Sequence, residues 1–309
     1  MRPYFLLIFL LIFSAAKAQV SEKKLKKHIS YLAADKMKGR QTGSKEVEKA
    51  AEYIERQFKK YGLTPPGPDG FRQHFEAKVK RVTVADSIRK AANIIGFLNN
   101  GAAATIVVGA HYDHIGYGDL GNSKDPLNTG KIHNGADDNA SGVAGLLELA
   151  KHYAGNRTKE RFNLLFIAFG AEELGLLGSK YFVEHPAVPL NTIHWMLNMD
   201  MIGRYNPDNG VAVIGYGTSP SFPEIFKGIT SGIKFYTGKD GSGGSDQTSF
   251  YKKDIPVLFF HTGGHPDYHK TGDDAAKIDF KALKAILELE IRVIDRSMNV
   301  PKMDFTRTN

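Results

Sequence analysis

The chain predicts one α/β domain built on a doubly wound, mixed but mostly parallel β-sheet with helices on both faces, and three observations carry that expectation. Past Gly101, short wholly apolar runs recur (ATIVVGAH, FNLLFIAFG, TIHWMLNMD, VAVIGYG and IPVLFFH), with helical patterns between most of them. Strands that are apolar on both faces are buried on both, as in a sheet covered by helices. The 309 residues, 42% hydrophobic and 24% charged, are in globular proportion and can bury a core without staples. No repeat, low-complexity segment or long linker divides the chain.

Taken in order, MRPYFLLIFLLIFSAAKAQ has a basic start at Arg2, an apolar stretch and a small-residue exit at Ala16-Lys17-Ala18, so residues 1–18 read as a secretory signal peptide cleaved before Gln19. The apolar stretch is short for a membrane span, with an uncleaved anchor as the minority alternative. The expected mature chain, 19–309, is exported to the periplasm or beyond and touches no membrane. Within it, residues 19–100 should supply helices and strands that pack on the sheet, and 101–300 the core that bears the chemistry.

Leu25, Ile29 and Leu32 recur at helical spacing from Ser21 to about Ala34. A second helix should run from Ser44 to about Tyr61, with Gly62 as its stop. TPPGPDG breaks the chain, and FRQHFEAKVKRVTV and AANIIGFL read as strands, the first of them alternating. Further helices are expected from Ser141 to about Tyr153, from Leu174 to about His185, and from about Lys277 to Met298.

Cysteine is absent, which excludes disulfides, thiolate nucleophiles and Cys-type zinc sites. Any metal must be held by His and carboxylates. The formal net charge of +8 is spread along the chain, densest at Lys23, Lys24, Lys26 and Lys27, a run that reads as a solvated helix face and not as a nucleic-acid site.

In open α/β sheets ligands bind beyond the carboxyl ends of the strands. His111, Asp113 and His114 follow TIVVGA, Glu172 and Glu173 follow LLFIAFGA, Asp200 ends HWMLNMD, and Tyr268 and His269 lie after IPVLFFHTGG. Asp137 and Asp138 stand in HNGADDNASG, before a helix. Singly, each has a plain structural reading. Asp138 to Ser141 could cap the helix, and Glu172-Glu173 could be favourable charge at a helix start. Together, two His and several carboxylates converging on one rim are the nitrogen and oxygen donors that suit zinc.

The ordered motifs GAHYDHIG, HNGADDNASG, FGAEELGLLGS, NMDMIGR and DYHKTGDD resemble those of metallopeptidase family 28, the secreted two-zinc aminopeptidases. The opening YLAADKMKGRQTGSKEVEKAAEYIERQFKKYGLTP is similar to the family's prelude, so the resemblance spans about Leu25 to Arg292. It implies a zinc-aminopeptidase-like fold with two Zn²⁺ ions, Asp138 bridging them, His111 and Asp200 on one, and Glu173 and His269 on the other. It further implies Glu172 as general base, Asp113 as the acid behind His111, and a cis peptide bond between Asp138 and Asn139. Tyr268 reads either as an oxyanion donor or as an aromatic packed at the rim. Arg204 reads as a surface ion pair, and His133, His261 and His265 as residues near the pocket that are not ligands. Gln247 departs from the family's Ser-Asp-His segment.

The expected function is hydrolysis of N-terminal residues from peptide substrates by a metal-activated water. The alternatives are a single-zinc glutaminyl cyclase, which has a similar fold, and a non-catalytic binding protein. Oligomeric state is open, with a monomer slightly favoured.

Overall fold

The computed structural model describes residues 19–308, apart from 126, 128, 129 and 157, so the signal-peptide expectation for 1–18 lies outside the described residues. The early helices follow their sequence signals closely. α1 is Glu22–Leu32, burying Leu25, Ile29 and Leu32. α2 is Lys45–Tyr61, started by the Ser44 hydroxyl, which accepts the Val47 N–H, and stopped by Gly62 at φ 82°.

Eight strands form one sheet: β1 (Arg72–Lys78), β2 (Ile88–Leu98), β3 (Thr105–His111), β4 (Asn163–Phe169), β5 (Ile193–Met199), β6 (Val211–Ile214), β7 (Phe235–Gly238) and β8 (Val257–His261), in the spatial order β1-β2-β4-β3-β5-β8-β6-β7. The central neighbours β4, β3, β5 and β8 are mutually parallel, while β2 and β6 join them antiparallel. β1 and β2 extend the sheet at one edge instead of packing on it.

Alternation along each strand decides which core a side chain enters. Ile106, Val108 and Ala110 of β3 face a core shared with α1, α2, α3 (Gly142–Gly155), α5 (Phe222–Phe226) and α7 (Phe280–Ser297). Val107, with Leu165, Ile167 and Phe169, faces a second core closed by Phe182 and Val183 of α4 (Leu177–Glu184) and by Phe250 and Tyr251 of α6 (Gln247–Tyr251). Both faces are covered, which is why the central strands carry no polar alternation. The sequence reading did not anticipate β7, α5 or α6. They have only four or five residues each, too few for a period to register.

The parallel block brings the carboxyl ends of β3, β4, β5 and β8 to one rim. The segment before α3, Ala136–Ser141, adopts a wide π-type turn against that rim, and the expected cis bond between Asp138 and Asn139 is present in it. Asn139 anchors the turn: its Oδ1 accepts the Gly142 N–H at 2.9 Å and its Nδ2 donates to the Met199 carbonyl at 2.9 Å. Among the described residues no helix is long and apolar enough to cross a membrane.

Candidate metal centre

Two groups of donor atoms meet on Asp138. The Nε2 atom of His111, delivered by the last residue of β3, lies 3.3 Å from Asp138 Oδ1 and 3.3 Å from Asp200 Oδ1. His269 Nε2, brought in by the loop after β8, lies 3.1 Å from Asp138 Oδ2 and 3.2 Å from Glu173 Oε1. The side chains expected to act together are therefore neighbours, and each oxygen of Asp138 faces a different histidine. A tetrahedral zinc with bonds of about 2.0–2.1 Å has ligand atoms about 3.3 Å apart, so these spacings and this donor set fit the ion.

The supports are built from backbone. Asp273 accepts the Asp137 N–H at 3.0 Å and the Asp138 N–H at 3.0 Å, fixing the loop that carries Asp138. His269 Nδ1–H donates to the Asn122 carbonyl at 2.7 Å, which aims Nε2 at the carboxylates. Asp113 differs from its expected place. Its carboxylate is 3.9 Å from His111 Nδ1, outside hydrogen-bond reach, and its backbone carbonyl is the nearer acceptor at 3.2 Å. The carboxylate instead accepts from the Thr42 hydroxyl at 2.9 Å and from the Glu172 N–H at 3.0 Å, so it positions Glu172.

Glu172 and Tyr268 line a cavity of about 280 Å³ together with His111, Asp138, Asp200 and His269. Met201 and Phe259 give it an apolar side, and His261, whose Nδ1–H donates to the Asp200 carbonyl at 2.9 Å, a polar edge. His133 is turned away, against Ser123 Oγ at 3.0 Å, and His265 faces Asp137 at 3.3 Å. Arg204 forms the expected ion pair, with Asp267 at 3.1 Å. Gln247 stands on the buried Asn198, accepting its Nδ2–H at 3.0 Å.

His114, noted in the sequence at the strand end but given no role, is part of the cluster. Its Nδ1 lies 3.0 Å from Glu173 Oε1 and 3.8 Å from Asp138 Oδ2. The signal was available in its place two residues after Asp113's neighbour Tyr112. Thr42 and Asp273 were also missed, because hydrogen bonds to backbone and second carboxylates leave no spacing rule.

Electrostatics separate the acids sharply. Burial raises Glu172 well above the carboxylate range, with Glu173, Asp246 and Asp200 adding to it against the pull of His111. Burial acts on Asp138 in the same direction, but His114, His111 and His269 outweigh it and hold the carboxyl well below its usual range. Burial lowers His269, yet Glu173 and Asp138 overcome it and push the imidazole to about 11. The neighbouring acids thus differ: Glu172 retains a proton readily while Asp138 stays ionised, the separation expected of a proton carrier beside a ligand.

Fold and rim together define a single α/β domain with a mixed, mostly parallel eight-stranded sheet and an acidic, histidine-bearing cage at its strand ends. Residues 93–294 match the model of Peptidase family M28, and the chain belongs to that family. It is 38% identical over 146 residues to Leupeptin-inactivating enzyme 1 of Streptomyces exfoliatus, a match covering 46% of this chain and 32% of that protein. The chain thus spans about a third of that relative's length. A leucine aminopeptidase precursor from Bacteroides thetaiotaomicron superposes with a TM-score of 0.69 at 22% identity, covering 90% of this chain and 97% of that one. Glutaminyl cyclase from Tannerella forsythia gives 0.73 at 21%, covering 90% and 99%. At these identities the structural likeness speaks for the fold alone.

Proposed function

We propose that this chain is an exported zinc aminopeptidase with two Zn²⁺ ions, His111 and Asp200 holding one, Glu173 and His269 the other, and Asp138 shared. The observation that carries the reading is the division of Asp138, one oxygen 3.3 Å from His111 and the other 3.1 Å from His269. Bound zinc lowers the pKa of a water and polarises a carbonyl. Glu172, its backbone anchored by Asp113, takes a proton at its side-chain carboxylate and returns it to the leaving amine. Tyr268 lines the cavity, tilted against the His269 ring at 4.0 Å between centroids, and in this reading its hydroxyl donates to the substrate carbonyl oxygen. The carboxylates of Asp200 and Glu172 offer acceptors for a free α-amino group, which favours trimming from the N-terminus. Met201 and Phe259 give apolar contact to the first side chain.

Residues 19–309 act as one peptidase domain in this reading, with peptides as substrates. Two parallel assays test it: zinc-loaded protein should free an amino acid from unblocked dipeptides and tripeptides, and should release no ammonia from a glutaminyl peptide. Ammonia without a freed amino acid would assign the cage to cyclisation, and neither product would leave it a binding protein.

A further inference from the structure

Arg40 is 1% exposed, yet its guanidinium hydrogen bonds, among the described residues, all go to backbone carbonyls. Nε donates to Tyr112 O at 2.9 Å, Nη1 to Leu32 O at 2.6 Å and Asn134 O at 2.8 Å, and Nη2 to Gly135 O at 3.0 Å. Its own carbonyl accepts the His114 N–H at 3.2 Å. These acceptors belong to three separate pieces of chain: the end of α1, the residue after His111, and the residues leading into Asp138. Arg40 itself sits at φ 47° at the end of the tight turn Asp35–Arg40. A residue held in the left-handed region, with a buried charge lacking a bonded carboxylate, is costly on both counts. Burial pulls its pKa down to about 10, while Asp138, Asp273, Asp113 and Glu173 pull it back up, so the cation lies within the field of the carboxylate cage.

We propose that Arg40 is a positioning residue for the metal centre: its planar fork fixes the spacing between the end of β3, which carries His111, and the loop that carries Asp138. The cage is thereby set before any ion arrives. The proposal rests on the two-metal reading above. Lys in its place would keep the charge but present donors from a single point, unable to span carbonyls distributed around a guanidinium edge.

The test is a cobalt titration of the metal-free protein, followed by visible absorption, on wild type and Arg40→Lys. The variant should bind Co²⁺ at least about tenfold more weakly and with altered d–d bands, the scale expected when a ligand's support is removed. Wild-type affinity and spectrum in the variant would overturn the proposal, since charge alone would then suffice. A wild-type chain that binds no cobalt would instead overturn the metal-centre reading, and this proposal with it. Amide exchange on the wild type needs no variant to fold: residues 133–140 should already be strongly protected in the metal-free chain, and rapid exchange there would refute a preset cage.

Discussion

Glu172→Gln is the perturbation that isolates the proposed chemistry from the fold. The side chain is nearly isosteric, and the segment is held through the Glu172 N–H on Asp113 Oδ1 at 3.0 Å, which the substitution leaves in place. Since burial and the neighbouring acids already favour the uncharged form of Glu172, a neutral amide adds no electrostatic penalty to the metal-free cage. What is lost is the ability to take and return a proton. Removing a positioned general base costs about 10²–10⁴ in kcat, which is about 2.7–5.4 kcal/mol of barrier at about 1.36 kcal/mol per decade. Zinc content should hold, because the residue binds neither ion in this account. The assay is hydrolysis of an unblocked dipeptide, with zinc measured by atomic emission on the same sample. A variant that carries the wild-type zinc load and keeps more than about a tenth of the wild-type kcat would refute the assignment.

Other expectations follow from the same geometry. Asp138→Asn, which weakens the oxygen pair shared by both histidines, should lower the zinc content at both positions, whereas His269→Ala should spare the position beside His111; metal analysis of the two variants distinguishes these outcomes. Chelation should lower the melting temperature and added zinc should restore it, the loaded form gaining about 4 kcal/mol when free zinc is about a thousandfold above Kd; an unchanged melting curve would speak against a resident ion. Glu290 lies in α7, fully buried, with both carboxylate oxygens lacking a hydrogen-bond partner among the described residues, and burial holds its pKa well above 4.5. An acid whose folded pKa is raised binds its proton more tightly in the fold, so its contribution is intact below about 4.5 and is lost as pH climbs toward the folded value. Glu290→Met should therefore stabilise the protein at neutral pH by about 1–3 kcal/mol, with the gain shrinking as pH approaches 4. Equal denaturation midpoints at pH 4 and pH 7 would contradict this.

How far the sequence could be read depended on whether a residue's role is periodic, local or spatial. The wholly apolar runs announced β3, β4, β5 and β8, and the rule that ligands gather beyond parallel strand ends placed His111, Glu172, Glu173 and Asp200 on one rim. Ser44 and Gly62 marked α2 to within a residue because caps are local chemistry. Asp113 illustrates the limit. The family resemblance implied a contact between its carboxylate and the His111 imidazole, whereas the backbone turn aims the carboxylate at Thr42 and at the Glu172 N–H, partners that no spacing reveals. Arg40 and Asp273 escaped for the same reason: both act on backbone atoms of segments far away in the chain. The short elements α5, β7 and α6 exist because tertiary neighbours complete them, not because their own few residues insist on them.

The claim on which the account turns is that a pair of ions shares Asp138. Anomalous diffraction at the zinc edge from zinc-soaked crystals addresses it directly. The account predicts two peaks about 3.5–4 Å apart, one against His111 and Asp200, the other against Glu173 and His269, with an oxygen of Asp138 on each. A single peak, or two that do not both touch Asp138, would contradict it.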